Sequence, residues 1–150
     1  MIITFFGHSH FCRTKEYEEK MLLFLENTVG NQAVDMFLGG YGEFDSFAYY
    51  CCKKYKETHS SVSLVFVTPY MTQEYQKKHL ESQKFRYDLI IYPEIEKKPK
   101  KFAIAYRNRY MIEKSDFVVT YVSHDWGGAY TAYKMAKRIG KNVFNLAEFE

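Results

Sequence analysis

The chain has 150 residues, 47% of them apolar and 19% aromatic, and its 21 basic and 18 acidic side chains leave a formal charge of +3. That length suits one domain with a real core and is short for two. The charges are mixed along the chain and create no strong field toward nucleic acid or a membrane surface. No apolar run approaches the roughly 18 residues of a span, and the first residues lack the pattern of a secretory signal, so no membrane association and a cytoplasmic location are expected.

"IITFF" (2–6) is a short apolar run of the kind found in strands covered on both faces. Thr14 is placed to cap a helix with apolar positions at Tyr17, Met21, Leu22, Leu25 and Val29, and Gly30 to close it. "VDMFL" (34–38) is a second strand. The next helix carries Phe44, Phe47, Ala48, Cys51, Cys52 and Tyr55 at steps of three and four, a stripe that must face the sheet. The vicinal cysteines are thereby core residues. With Cys12 they form no C-x-x-C pair, so reduced thiols are expected rather than a disulfide framework or zinc knuckle.

"VSLVFV" (62–67) is a third strand, and residues 70–86 are polar and weakly periodic, a helix or a mobile segment. "LIIY" (89–92) follows, then the basic "EKKPKK" (96–101), whose proline marks a solvated loop rather than a phosphate-binding patch. A helix over about 102–115 precedes the strand "DFVVTYV" (116–122). A helix from about 127 to 139 turns Ala129, Ala132, Tyr133 and Ala136 inward, stops at Gly140 and precedes "NVFNL" (142–146). Strands alternating with helices predict an α/β fold: Rossmann-like and doubly wound, with a mainly parallel sheet of about six strands and helices on both faces, in a single domain over 1–150.

In such a sheet the strand-to-helix turns emerge at the carboxyl edge, where ligands bind. Three turns there have unusual chemistry and should meet: "FGHSHF" (6–11), "GGYGEFD" (39–45) and "SHDWGGAY" (123–130). Glycine lets backbone amides come close to an anion, and the following helix adds the positive end of its dipole. A phosphate or ribose-phosphate is the expected visitor to Gly39, Gly40 and Gly42, with Gly127 and Gly128 as a second cradle. Glu43 and Asp45 have two competing roles, one complementing the helix dipole and the other, for Asp45, accepting from a ribose hydroxyl. Arg107 and Asn108 lie beside apolar positions on their helix. Arg107 either snorkels to solvent, as Arg109 can, or reaches along the sheet edge to a phosphate, and the phosphate-ready turns favour the second. Trp126 and Tyr41 compete between core packing and stacking on a base. His8, His10, His124, Asp45 and Asp125 share no diagnostic ligand spacing, so no metal is expected.

In this order, "TFFGHSHF", "GGYGEFD", "YRNRYM" and "HDWGGAYTAYKMAK" resemble the SLOG superfamily of Rossmann-like domains that bind or process nucleotides and nucleotide-derived ligands. Its members include the Lonely Guy phosphoribohydrolases and the DNA-processing protein A domain. The chain is most similar to the small YpsA-like branch, which begins with a strand and Gly-His and carries Gly-Gly-x-Gly-x-x-Asp after the second strand. The resemblance implies ligand contacts from Gly7, His8, Gly39, Gly40, Tyr41, Gly42, Asp45, Arg107, Asn108, His124, Trp126, Gly127, Gly128 and Tyr130, with His8 as a hydrogen-bond donor.

The Lonely Guy Arg-Lys-x-x-Met helix is matched in part by Arg107, Asn108 and Met111. Their catalytic turn, Pro-Gly-Gly-x-Gly-Thr-x-x-Glu, meets Gly127, Gly128 and Thr131, but Trp126 stands at the proline, Tyr130 at the third glycine and Lys134 at the glutamate. A lysine there is neither an anionic stabiliser nor a base at neutral pH unless strongly perturbed. The expected function is therefore binding of a nucleotide-derived small molecule, for sensing or sequestering, without cofactor. A nucleotide N-glycosidase using Glu43 or Asp45 is the alternative. DNA-processing-protein-like nucleic-acid binding ranks third because it predicts a basic stripe continuous with the groove, for which the sequence offers only Lys97 to Lys101 and scattered lysines. Exposed tyrosines lead us to expect a homo-oligomer.

Overall fold

The computed structural model describes residues 1–69, 81–93 and 102–148. The "EKKPKK" loop and most of the 70–86 segment lie outside them. The described elements are β1 (Ile2–Gly7), α1 (Lys15–Val29), β2 (Val34–Leu38), α2 (Glu43–Thr58), β3 (Val62–Val67), α3 (Glu81–Lys84), β4 (Leu89–Ile91), α4 (Ala103–Lys114), β5 (Phe117–Tyr121), α5 (Gly128–Arg138) and β6 (Asn142–Asn145). All strand pairings are parallel, in the order β4-β3-β2-β1-β5-β6, so the fold is α/β and Rossmann-like as expected. The chain builds outward from β1 to β4, then returns to the other side of β1. The order reverses between β1 and β5, which makes the carboxyl ends of those two strands the crevice for a ligand.

Side-chain alternation gives the sheet two apolar faces. Ile3, Phe5, Met36, Leu38, Leu64 and Phe66 pack with Met21 and Leu25 of α1 and Phe44, Phe47, Cys51 and Cys52 of α2. On the other face Phe6, Phe37, Val65, Val67 and Val118 meet Met111 and Ile112 of α4 and Ala132 and Ala136 of α5. The two cysteines sit in the core as their spacing predicts, and burial pushes the Cys51 thiol up to about 12 and raises Cys52 as well, so both stay protonated.

Helix ends obey the local signals. The Thr14 hydroxyl accepts the Tyr17 N–H at 3.1 Å, and Gly30, at φ 56°, closes α1. In α5 only Ala132 and Ala136 are buried; Ala129 and Tyr133, expected inward, are half-buried. The first turn of that helix overhangs the sheet edge, and Ala129 lines the crevice there.

Candidate functional site

The turns after β1, β2 and β5 converge on one cleft of about 890 Å³, with α4 as its fourth wall. Gly7, His8, Tyr41, Asp45, Arg107, Asn108, His124, Trp126, Gly127 and Gly128 line it, and so does Glu43. Gly39, Gly40, Gly42 and Tyr130 are not among its lining residues. Tyr130 lies near its neighbour Tyr133 with the Lys134 Nζ over its ring at 4.9 Å.

The β1 and β5 turns are zipped together. The His8 N–H donates to the Tyr121 carbonyl at 3.3 Å, and the Ser123 N–H donates to His8 Nε2 at 3.0 Å. Because Nε2 accepts, the proton of the neutral ring is assigned to Nδ1. Burial, and then the neighbouring His124, hold the His8 pKa below its ordinary value, so the neutral form that this bond needs is the favoured one. His8 stacks on His124 at 3.6 Å between centroids, and His124 on Trp126 at 3.9 Å. Among the described residues His124 Nδ1 is buried without a partner. Trp126, 68% exposed, is not a core residue, and neither is Tyr41, at 70%.

The glycine-rich turn after β2 is crowded by the chain itself. A Cβ on Gly39 would lie 3.0–3.2 Å from the Arg107 guanidinium, one on Gly40 2.8 Å from the Phe66 ring, and one on Gly42 3.1 Å from the Ser9 Cα. Gly7 is glycine for a similar reason, since its Cβ would fall 2.2 Å from the Phe44 ring. Arg107 is 4% exposed and does not snorkel. Its Nη1 donates to the Gly39 and Val67 carbonyls at 3.1 and 3.0 Å, and its Nε to the Asn108 Oδ1 at 2.9 Å. The guanidinium thus ties the ends of β2 and β3 together while presenting positive charge to the cleft. Arg109 instead pairs at the surface with Glu113.

The carboxylates of α2 face backbone donors. Glu43 Oε2 accepts the Phe11 N–H at 2.8 Å, and Asp45 Oδ2 accepts the Tyr41 N–H at 2.8 Å. Burial pushes the Asp45 carboxyl up to about 6, against the opposing pull of that N–H and of Arg107. The start of α5 is different. Its first turn holds no acid, a Cβ on Gly128 would meet nothing within 4 Å, and among the described residues no acceptor is recorded for the Gly128 and Ala129 amides. Here the dipole end and the donors remain open to the cleft.

Ser9, His10, Phe11, Cys12, Ile104, Tyr121, Ser123 and Ala129 also line the cleft. Their place follows from the turns already singled out, since each except Ile104 lies in or next to one. Phe11, packed against Tyr17, Phe44, Phe47 and Tyr121, forms an aromatic wall that periodicity alone cannot reveal.

Solved structures of DNA processing protein A share the fold. DNA processing protein A from Helicobacter pylori, studied for its single-stranded DNA binding mode, matches with a TM-score of 0.62 at 17% identity, over 97% of this chain and 64% of that one. DNA processing protein A from Streptococcus pneumoniae matches with a TM-score of 0.64 at 16% identity, over 95% of this chain and 49% of that one. The chain therefore spans about half to two thirds of these neighbours, and at such identities the likeness is one of fold. No protein-family model matches the sequence, and no curated protein does. Among the described residues no helix is long and apolar enough to cross a membrane.

Proposed function

We propose that the chain is a SLOG-type domain of the YpsA-like branch that binds a nucleotide or nucleotide-derived molecule in the cleft between the β1, β2 and β5 turns, without turning it over. One observation carries this reading. The amino end of α5 presents an open glycine and amides from which no described residue accepts to a cleft whose other wall holds a buried guanidinium. Backbone donors and a planar cation suit a phosphate. Binding without turnover is supported by Lys134 at the position of the Lonely Guy glutamate and by Glu43 and Asp45, which accept bonds from backbone amides. Calorimetry and thermal shift against nucleoside monophosphates, dinucleotides and cyclic ADP-ribose relatives test the reading. Stabilisation by at least one is expected, and stabilisation by none overturns it. Free base accumulating on incubation, and lost in Asp45→Asn, would favour the glycosidase alternative instead.

A second reading, ranked last on charge alone, gains weight from the fold shared with a protein that binds single-stranded DNA. The exposed rings of Trp126 and Tyr41 at the cleft suit stacking on successive bases. A mobility shift with a single-stranded oligonucleotide that weakens with salt would support it.

A further inference from the structure

The β5 turn carries three rings in a row. His8, His124 and Trp126 lie at centroid spacings of 3.6 and 3.9 Å, with interplanar angles of 12° and 18°. The inner end of the stack is anchored, because His8 is 8% exposed and its Nε2 takes the Ser123 N–H. The outer end is not covered: one face of Trp126 rests on His124, yet the side chain lines the cleft and is 68% exposed. A single exposed ring is ordinary on a protein surface, but this one is held by stacking at the cleft, and the next two residues are Gly127 and the unobstructed Gly128. The His124 ring also packs near this turn, with Cε1 3.9 Å from where a Gly127 Cβ would stand. The stack and the amide cradle therefore adjoin one another.

We infer that the stack continues into the ligand, the open face of Trp126 receiving an aromatic nucleobase, so that the cleft selects base-bearing phosphates over bare sugar phosphates. The inference rests on the reading of the cleft as a nucleotide site and adds what that reading leaves open, the part of the ligand that is discriminated. A preformed, anchored platform loses little side-chain freedom on binding, which favours a stacked base.

Trp126 is the only tryptophan, so indole fluorescence reports on this ring alone. The probes are AMP and ribose 5-phosphate, each titrated by calorimetry and by fluorescence. AMP is expected to quench the indole and to bind at least about tenfold more tightly than ribose 5-phosphate, the margin a stacked base supplies. Trp126→Ala should bring the two affinities together, and Trp126→Phe should keep most of the margin. Equal binding of the two probes, or an unchanged preference in Trp126→Ala, overturns the stacking inference while the cleft stays an anion site. Failure of both probes to bind overturns the inference, and the nucleotide reading falls with it only if the dinucleotides and cyclic ADP-ribose relatives also fail to stabilise the chain.

Discussion

Gly42 and Gly127 open their helices with nearly one backbone, φ 96° and ψ 174° in the first, φ 93° and ψ 174° in the second, and neither helix has a side-chain cap. What surrounds them differs. At α2 the Glu43 N–H donates to the Ser9 carbonyl, Glu43 and Asp45 bring their own negative charge, and Ser9, Phe66 and Arg107 press on the glycines. At α5 the first turn holds no acid, a Cβ on Gly127 would meet only His124 Cε1 at 3.9 Å and one on Gly128 nothing within 4 Å, and no described residue accepts from the Gly128 and Ala129 amides. One turn is closed by the protein and serves to assemble the edge of the sheet; the other faces the cleft with its first amides open. Glycine has opposite surroundings in the two, the chain's own atoms in the first and empty space beside Gly128 in the second, which the proposed function assigns to a ligand.

Removing Arg107 is the harshest way to break this contrast. Arg107→Leu strands the Gly39 and Val67 carbonyls in a buried setting and leaves the Asp45 carboxyl without its nearby cation. A loss of about 3–5 kcal/mol in denaturant unfolding is expected in the absence of any ligand. A stability close to that of the parent would mean that the α2 turn does not depend on the guanidinium.

The Asp45 carboxyl gives the next effect, through pH. Its pKa stands at about 6 in the fold against an ordinary 3.8, so the folded chain holds a proton that the unfolded chain has released between those values. The contribution of this carboxyl to stability therefore falls as pH rises from about 4 to about 6, by a total of about 3 kcal/mol, and is flat on either side. Asp45→Asn has nothing to titrate and retains an oxygen for the Tyr41 N–H. Its stability relative to the parent should grow by about that amount between pH 4 and pH 7, whatever its value at either end. A gap that stays constant would place the carboxyl in a wetter site than the one described.

The fold was readable because buried parallel strands and amphipathic helices leave strong local signatures: the stripe from Phe44 to Tyr55 is wholly buried, and Thr14 and Gly30 stand where α1 begins and ends. Strand order was not readable, since pairing depends on which crossovers the whole chain can pack. The candidate site was legible as three turns on one edge, and they do line one cleft. Their internal partners were not legible. That Arg107 lies against Gly39, sixty-eight positions away, is a tertiary fact without local trace. So is the choice of Ser123 as the donor to His8. Glycine in sequence says only that a side chain is unwelcome, and not whether protein or ligand takes its place.

Gly42→Ala and Gly128→Ala separate those cases with the smallest change available. At position 42 a methyl group must adopt φ 96° and lie 3.1 Å from the Ser9 Cα, so a loss of about 1–3 kcal/mol is expected, ligand or no ligand. At position 128 φ is not positive and the space is empty, so stability should hold or rise by up to about 1 kcal/mol, alanine being the better helix former. Binding moves the other way. The methyl stands beside the open amides, and AMP affinity, measured by calorimetry, should fall about tenfold or more as the phosphate is kept from them. Equal destabilisation by the two substitutions would make the α5 turn as structural as the α2 turn. A Gly128→Ala chain that is stable and binds AMP like the parent would locate the phosphate elsewhere in the cleft, with Arg107 rather than the helix end as its chief partner.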